Sequence, residues 1–209
     1  MIRGLRETIA FAAVALMTVG VGIGLSAAGA GQAAGAPAAK PAAKPAGASS
    51  KAAMVARGKY LVTTSACHDC HTPWKMGDNG PEPDMSRMLS GHPSDVPVTT
   101  PAPLSAPWMA ATDTTFTAWS GPWGMSYTAN LTPDKETGLG TWTAQQFLDT
   151  IRNGRVQGHG RQLLPPMPWP MYRNMTDSDL RAIFAFLQTI PAVKNKVPDP
   201  ILAPPPPAK

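Results

Sequence analysis

Neither internal repeats of domain length nor runs of alternating apolar and polar residues occur in this chain of 209 residues. Because no long segment repeats another, nothing indicates a repeat architecture or a second domain. Because the alternation typical of half-buried strands is missing, no β-strand is predicted. These absences leave one helical domain over residues 52–192, which is long enough to have a hydrophobic core of its own.

A strong charge of one sign is also missing from this domain. The whole chain has a formal net charge of +5, but five of its 18 basic residues precede the domain. Without those five cations and Glu7, the domain and the residues after it contain 13 basic and 12 acidic residues, and this balance predicts no nucleic-acid partner. The five early cations are Arg3, Arg6, Lys40, Lys44 and Lys51.

The two ends of the chain differ in composition from the domain. Residues 1–30 combine a basic start, an apolar run and small residues at their end, which is typical of a signal peptide, with an uncleaved membrane anchor as the alternative. Either one predicts export to the periplasm, and an anchor would add contact with the membrane. Residues 31–51 form an Ala/Pro/Lys linker that we expect to be disordered, and residues 193–209 form a Pro-rich tail.

Only two cysteines are present, Cys67 and Cys70, and His71 directly follows the second. The pattern C-x-x-C-H is the attachment motif of c-type haem. Two thiols on one turn of chain can each form a thioether with a haem vinyl group, and the adjacent imidazole can bind the iron. Since the motif occurs once, the sequence predicts one covalent haem c.

A C-x-x-C pair also occurs in thiol oxidoreductases, zinc sites and structural disulfides. A thiol oxidoreductase requires a strand before the motif and a βαβ pattern around it, and the sequence has neither. A structural zinc site needs four ligands, and the remaining histidines, His92 and His159, are badly spaced for it. None of these three alternatives explains His71, so haem attachment is favoured.

Three helices are predicted, and with them an all-α fold. The first covers residues 52–64, where Gly58 in the middle suggests a close helix crossing. The second begins at Thr143 with a capping box and ends at Asn153-Gly154. The third begins at Thr176 and ends before Pro191, with an apolar stripe at helical spacing.

The sixth ligand of a haem iron in electron carriers is often a methionine thioether. Among eleven methionines, Met167 has a distinctive setting, because prolines on both sides prevent helix and restrict the backbone. A rigid loop of this kind can hold one thioether over the iron. Met167 is therefore the predicted ligand, followed by Met171 and, more distantly, by Met175 or His159.

The chain resembles the bacterial class I c-type cytochromes, and most of all the mono-haem relatives of the cytochrome subunits of periplasmic alcohol and sugar dehydrogenases. The C-x-x-C-H motif carries this resemblance most specifically. Three weaker motifs follow in the order of the family and extend the match over the whole domain: Asn130-Leu131-Thr132-Pro133-Asp134 with Thr137-Gly138-Leu139-Gly140-Thr141-Trp142, Met167-Pro168-Trp169, and Met175-Thr176-Asp177-Ser178-Asp179-Leu180.

The resemblance implies a cytochrome c fold in which the first and last helices cross, with Gly58 and Tyr60 near Phe184 or Phe186. It also implies that Met167 is the axial methionine. Arg161 is expected to face either a haem propionate or solvent.

Electron transfer is the expected function, without chemical change of a substrate. The expected partners are a dehydrogenase upstream and an oxidase or another cytochrome downstream, in small and transient contacts. A haem enzyme or gas sensor with an open sixth site is the main alternative, and the Pro-framed Met167 argues against it. A membrane-anchored subunit of an oxidoreductase complex is a third hypothesis.

Residues Thr72 to Met125 form a long stretch rich in proline and tryptophan and without clear periodicity. Segments of this kind are usually functional or disordered. We expect either a lid over the haem edge with a docking surface, or plain packing around the haem. His92 within it is expected to be structural or exposed.

Overall fold

The computed structural model describes residues 48–204, and side chains from residue 50 onward. This part of the chain contains five α-helices and six short strands. The helices are α1 (Ala48–Thr64), α2 (Cys67–His71), α3 (Ala144–Asn153), α4 (Trp169–Tyr172) and α5 (Asp177–Leu187). The strands are β1 (Trp74–Gly77), β2 (Gly80–Pro83), β3 (Ala111–Thr112), β4 (Ala118–Gly121), β5 (Gly124–Tyr127) and β6 (Ile201–Leu202).

The most extensive packing between elements joins α1 to α5. Gly58 lies against α5 so closely that a Cβ atom on it would overlap the carbonyl oxygen of Ala182 and lie 2.8 Å from the Cβ of Phe186. The predicted close crossing is therefore confirmed. Tyr60 is instead 58% exposed, and the guanidinium of Arg57 lies 5.5 Å from the centre of its ring.

The predicted starts of the second and third helices are confirmed as α3 and α5. At α3 the Thr143 hydroxyl accepts from the Gln146 backbone N–H, and the Gln146 side chain accepts from the Thr143 N–H. Gly154 ends the helix with a φ of 64°, a conformation that glycine adopts without steric cost. At α5 the Thr176 hydroxyl accepts from the backbone N–H of Asp179. These caps satisfy donors that a helix leaves unpaired at its first turn.

The hydrophobic core lies between α1, α3 and α5. It includes residues that the helical periodicity predicts to be buried, together with residues from the intervening segments. Its members are Leu61, Val62, Leu89, Leu139, Phe147, Leu148, Ile151, Leu180, Ile183, Phe184, Phe186, Leu187 and Ile190. The packing of α1 on α5, together with α3, therefore forms the core beside which the candidate site lies.

The prediction of an all-α fold is wrong, because two antiparallel sheets accompany the helices. β1 and β2 form a hairpin, and the other four strands form one sheet in the order β3-β4-β5-β6. Strands of two to four residues are too short for period-two alternation to appear in the sequence. Turn residues are nevertheless present in the sequence. Asp78 and Asn79 join β1 to β2, and Gly121 and Gly124 flank the turn between β4 and β5.

The stretch from Thr72 to Met125 packs as part of the domain. Leu89, His92 and Met125 within it are almost completely buried. The Nε2 of His92 donates to the Val96 carbonyl at 2.9 Å, and its Nδ1 accepts from the Thr117 hydroxyl at 2.9 Å. His92 is therefore structural.

Regular structure continues beyond both predicted limits of the domain. Helix α1 begins at Ala48 rather than at Ala52, so it includes the end of the expected linker. After residue 192 the chain does not leave the domain as a tail, because Asn195 is buried and β6 pairs with β5. The expected signal peptide and most of the linker lie outside the described residues. Between residues 48 and 204, no helix combines the length and apolar character needed to cross a membrane.

Candidate functional site

A large cavity of about 570 Å³ opens beside the core. Its wall is mostly apolar, and α3 and α5 contribute side chains that also belong to the core, among them Phe147, Ile151, Leu180 and Ile183. Further parts of the wall come from the end of α1, from α2, from residues 126–131 and 136–142, from the segments before and after α4, and from residues 196–200. No lining residue comes from the stretch Thr72 to Met125, so the expectation of a lid there is wrong for this cavity.

Helix α2 brings both cysteines and His71 to the cavity wall. The helix begins after Ala66, whose φ of 57° turns the chain sharply between α1 and α2. Both cysteine thiols are free and partly buried. Burial raises the pKa of the Cys67 thiol to about 11 and also raises the pKa of Cys70, so both are protonated at neutral pH.

The ring of His71 is held by the backbone of the segment that follows β5. Its Nδ1 lies 2.8 Å from the carbonyl oxygen of Ala129. Because a carbonyl oxygen can only accept, Nδ1 carries the proton and Nε2 keeps its lone pair. Burial lowers the pKa of His71, against the opposing effect of the Ala129 hydrogen bond. The result is a neutral imidazole with one nitrogen free to bind a metal, the arrangement common in histidine ligands.

Met167 reaches the cavity from the Pro-framed loop that precedes α4. The loop is tied to β5, because the Ser126 hydroxyl donates to the carbonyl of Pro165 at 2.6 Å. The Met167 N–H also donates to the Leu164 carbonyl at 3.3 Å. Met167 is half-buried and packs against the core. Met167 therefore borders the cavity, and its role as an iron ligand stays a prediction.

The other candidate ligands do not follow the order expected from the sequence. Met175 also lines the cavity and packs against the core. Met171 is 67% exposed, and neither Met171 nor the exposed His159 belongs to the lining. Met175 is therefore better placed than Met171 as the competitor of Met167.

Charged side chains also line the cavity. Arg161, singled out in the sequence, is among them, and so is Lys196, which sequence reasoning missed. Glu136 lines the cavity but is paired with Lys194 at 2.7 Å, and Asp69 and Asp199 complete the set. No local pattern identifies Lys196, because its position depends on how residues after 192 pack on the domain.

Taken together, these side chains fit a c-type haem. The cavity volume lies within the roughly 300–1,000 Å³ typical of cofactor pockets, and the wall is predominantly apolar. Two free thiols, a neutral imidazole and a thioether all border the same space, and these are the groups that attach and ligate haem c. Zinc does not fit, because no three His, Cys, Asp or Glu side chains between residues 48 and 204 are grouped as a metal site requires.

Several characterised proteins are similar to this chain in sequence. The fructose dehydrogenase cytochrome subunit of Gluconobacter japonicus is 28% identical over 159 residues, 73% of this chain and 26% of the relative. The cytochrome c subunit of the quinone alcohol dehydrogenase of Gluconobacter oxydans is 28% identical over 150 residues, 70% of this chain and 24% of the relative. The gluconate 2-dehydrogenase cytochrome c subunit of Pantoea cypripedii is 29% identical over 134 residues, 64% of this chain and 22% of the relative.

The chain thus spans about a quarter of the length of these three cytochrome subunits. A family model described as Cytochrome c matches residues 55–191, which is well over half of the chain and includes both cysteines, His71 and Met167. This protein therefore belongs to the cytochrome c family, whose fold it shares.

Proposed function

We propose that this protein carries one haem c, attached through Cys67 and Cys70, with His71 and Met167 as the axial ligands of the iron. The observation that carries the proposal is that these four side chains border one apolar cavity. In attachment, each thiol adds across a haem vinyl group, so that sulfur bonds to one carbon and the proton goes to the other. Because C-x-x-C-H occurs once, one haem per chain is expected.

When bound, the haem supplies one-electron chemistry between ferric and ferrous iron. The residues of this chain orient and tune it. The hydrogen bond from His71 to Ala129 fixes the imidazole tautomer and the direction of Nε2. A Met167 thioether favours ferrous iron and so raises the reduction potential. The apolar wall around both ligands excludes water.

The proposed role is periplasmic electron transfer from a dehydrogenase to an oxidase or another cytochrome. Support comes from the similarity to cytochrome subunits of fructose and alcohol dehydrogenases. Reduction of the purified ferric protein, followed at its visible bands, should depend on addition of a sugar or alcohol to an extract containing the dehydrogenases of the source organism. Reduction that proceeds equally without substrate would contradict this assignment.

Ligation is tested by visible and near-infrared spectra of the oxidised and reduced protein. A methionine–ferric iron bond gives a weak near-infrared band, which is expected in the wild type and absent in Met167→Ala. Met175→Ala is the matched variant within the cavity, and Met171→Ala is the exposed control; both should keep the band. Loss of the near-infrared band in Met175→Ala alone would show that Met175 is the ligand instead of Met167.

The open-site alternative has a distinct signature. A haem enzyme or gas sensor would lack the near-infrared band, and its reduced form would bind carbon monoxide readily. Attachment is measured separately by the mass of the intact chain, which should exceed that of the polypeptide by one haem. Neither Cys67→Ser nor Cys70→Ser should form both thioethers.

A further inference from the structure

The chain continues beyond the residues that match the family, and this continuation is anchored to the domain. The family match ends at residue 191, and we call residues 193–203 the strap. At its start, the Asn195 side chain is buried among backbone groups of the segment before β3. Its Oδ1 accepts from the Ser94 N–H at 2.9 Å, and its Nδ2 donates to the carbonyls of Ser90 at 2.8 Å and His92 at 2.9 Å.

The backbone of the strap is tied down at the same end by the segment after β5. The Val193 N–H donates to the Thr132 hydroxyl at 3.1 Å, and the Val193 carbonyl accepts from Asn130 Nδ2 at 2.8 Å. The Asn195 N–H donates to the Thr137 hydroxyl at 3.0 Å. This number of hydrogen bonds, several of them buried, distinguishes the strap from a solvated tail.

The other end of the strap is held by the four-stranded sheet. β6 pairs with β5, and the Ala203 N–H donates to the Trp123 carbonyl at 3.0 Å. A Cβ atom on Gly124 would overlap the carbonyl oxygen of Ile201, so the strand and the strap approach each other as closely as a glycine allows.

Between these two anchors, residues 196–200 line the cavity. Two of the five are Pro198 and Pro200, whose rings restrict the backbone and reduce the entropy lost on ordering. The strap is therefore fixed at both ends and crosses the cavity in between.

Two neighbouring lysines of the strap differ in their surroundings. The ammonium of Lys194 pairs with Glu136 at 2.7 Å. Lys196 lines the cavity, and no carboxylate within residues 50–204 lies within salt-bridge distance of it. Arg161 also lines the cavity, and no carboxylate within residues 50–204 lies within salt-bridge distance of it. The acidic groups on the lining are Asp69, Asp199 and Glu136, the last neutralised by Lys194.

We propose that the strap is an additional wall of the haem site, in which Lys196 is the cationic partner of a haem propionate and residues 197–200 exclude water from that edge. This inference rests on the haem attachment proposed above. A haem has two anionic propionates, and Arg161 and Lys196 are the two cations of the lining that have no ion pair within the described part of the chain. Lys196 is thus a positioning residue for the haem.

The strap should raise the reduction potential. Ferric haem has one more positive charge than ferrous haem, so burial from water disfavours the ferric form. A propionate neutralised by Lys196 also stabilises the ferric form less than a free carboxylate does. Both contributions of the strap therefore favour the reduced protein.

The test is the midpoint potential of the haem-loaded full chain, measured by spectroelectrochemical titration. Lys196→Gln is expected to lower the midpoint potential. Lys196→Arg, which keeps the positive charge, is expected to keep most of the wild-type value. Lys59→Gln is the control, since it removes the same charge from an exposed position of α1 outside the cavity lining, and it should leave the potential nearly unchanged. Equal shifts in Lys196→Gln and Lys59→Gln would show a distant charge effect and overturn the assignment.

The wall itself is tested by truncation. A chain that ends after Asn195 keeps the first anchor and loses residues 196–209, and its potential should fall further than that of Lys196→Gln. A chain that ends after Ala203 is the control and should match the wild type. If the first truncation does not fold, Asn195→Ala, which removes the buried side-chain hydrogen bonds of the first anchor, should lower the potential in the same direction. An unchanged potential in the folded truncation or in Asn195→Ala overturns the proposal.

Failure of the strap proposal is distinguishable from failure of the haem proposal. A wild-type chain without the mass of a covalent haem would contradict attachment at Cys67 and Cys70. A chain with that mass and with the near-infrared band would still support the proposed function if Lys196→Gln left its midpoint potential unchanged. Only the strap proposal would then be contradicted.

Discussion

Gly58 of α1 touches the backbone of Ala182 in α5, with no space between them for even one methyl group. The crossing of these helices supports one side of the core, so a side chain at residue 58 must push them apart. Gly58→Val is expected to destabilise the haem-loaded protein by about 1–3 kcal/mol, the usual cost of overpacking. Denaturant unfolding measures this change. Ala56→Val, at an exposed position of the same helix, is the control. It should lower the free energy of unfolding by well under half as much.

Asn130 joins the loop after β5 to the strap from a buried position. Its Nδ2 donates to the Val193 carbonyl at 2.8 Å, and its Oδ1 accepts from the Thr132 N–H at 3.0 Å. Asn130→Asp keeps the size and the acceptor but places a carboxylate oxygen against the Val193 carbonyl. We expect a loss of about 1–3 kcal/mol in the free energy of unfolding. Asn79→Asp, in the exposed turn between β1 and β2, should stay within about 0.5 kcal/mol of the wild type.

His92 should make stability depend on pH. Burial lowers its pKa, against the opposing effects of the hydrogen bond to Val96 and of the carboxylates of Asp113 and Asp95. In the unfolded chain a histidine takes up a proton below about pH 6.5, whereas buried His92 resists protonation. The unfolded state therefore binds more protons in that window, and the stability contributed by neutral His92 at pH 7 is lost as the pH falls.

The measurement compares the free energy of unfolding at pH 7 and pH 5 in the wild type and in His92→Gln. The decrease between the two pH values should be smaller in the variant, with an upper limit of about 1.4 kcal/mol per pH unit for one site. His159→Gln, at an exposed position, is the control for the loss of a histidine. An equal decrease in the free energy of unfolding in the wild type and in His92→Gln would show that His92 does not cause the pH dependence.

Removal of the haem should leave the domain poorly folded. The cavity of about 570 Å³ is bordered by core side chains such as Leu180 and Ile183. An unfilled apolar space of that size would cost on the order of 10 kcal/mol, which is comparable to the total stability of a domain. The apoprotein made by Cys67→Ser with Cys70→Ser should lose near-ultraviolet circular dichroism and the cooperative thermal transition. A native-like spectrum with a sharp transition in that apoprotein would contradict this expectation.

Local features of the chain were predictable because their signals lie within a few residues. Thr143 and Gln146 form the capping box across a single helical turn, and Gly154 ends the same helix at the predicted position. The C-x-x-C-H motif is equally local, since its spacing places three groups on one turn. Gly58 was recognisable because a glycine in a helix is costly unless another chain passes close to it.

The sheets and the order of the candidate methionines were not predictable in this way. β3 and β6 contain two residues each, so they form only because neighbouring strands supply hydrogen bonds to their backbone. Met171 and Met175 lie on either side of a short turn after α4, and the packing of that turn makes one exposed and brings the other to the cavity. Nothing in the adjacent residues indicates which of the two turns inward.

The sequence by itself determined the attachment motif, the family and the main helices, because each of these depends on groups that are neighbours along the chain. Only the tertiary structure decided which backbone holds His71 and where the chain goes after residue 192. The carbonyl of Ala129 lies far from His71 along the chain, and Asn195 bonds to carbonyls about a hundred residues earlier. A backbone carbonyl can accept a hydrogen bond whatever side chain its residue has. The sequence around the acceptor therefore does not indicate such a contact, and only the folded structure shows it.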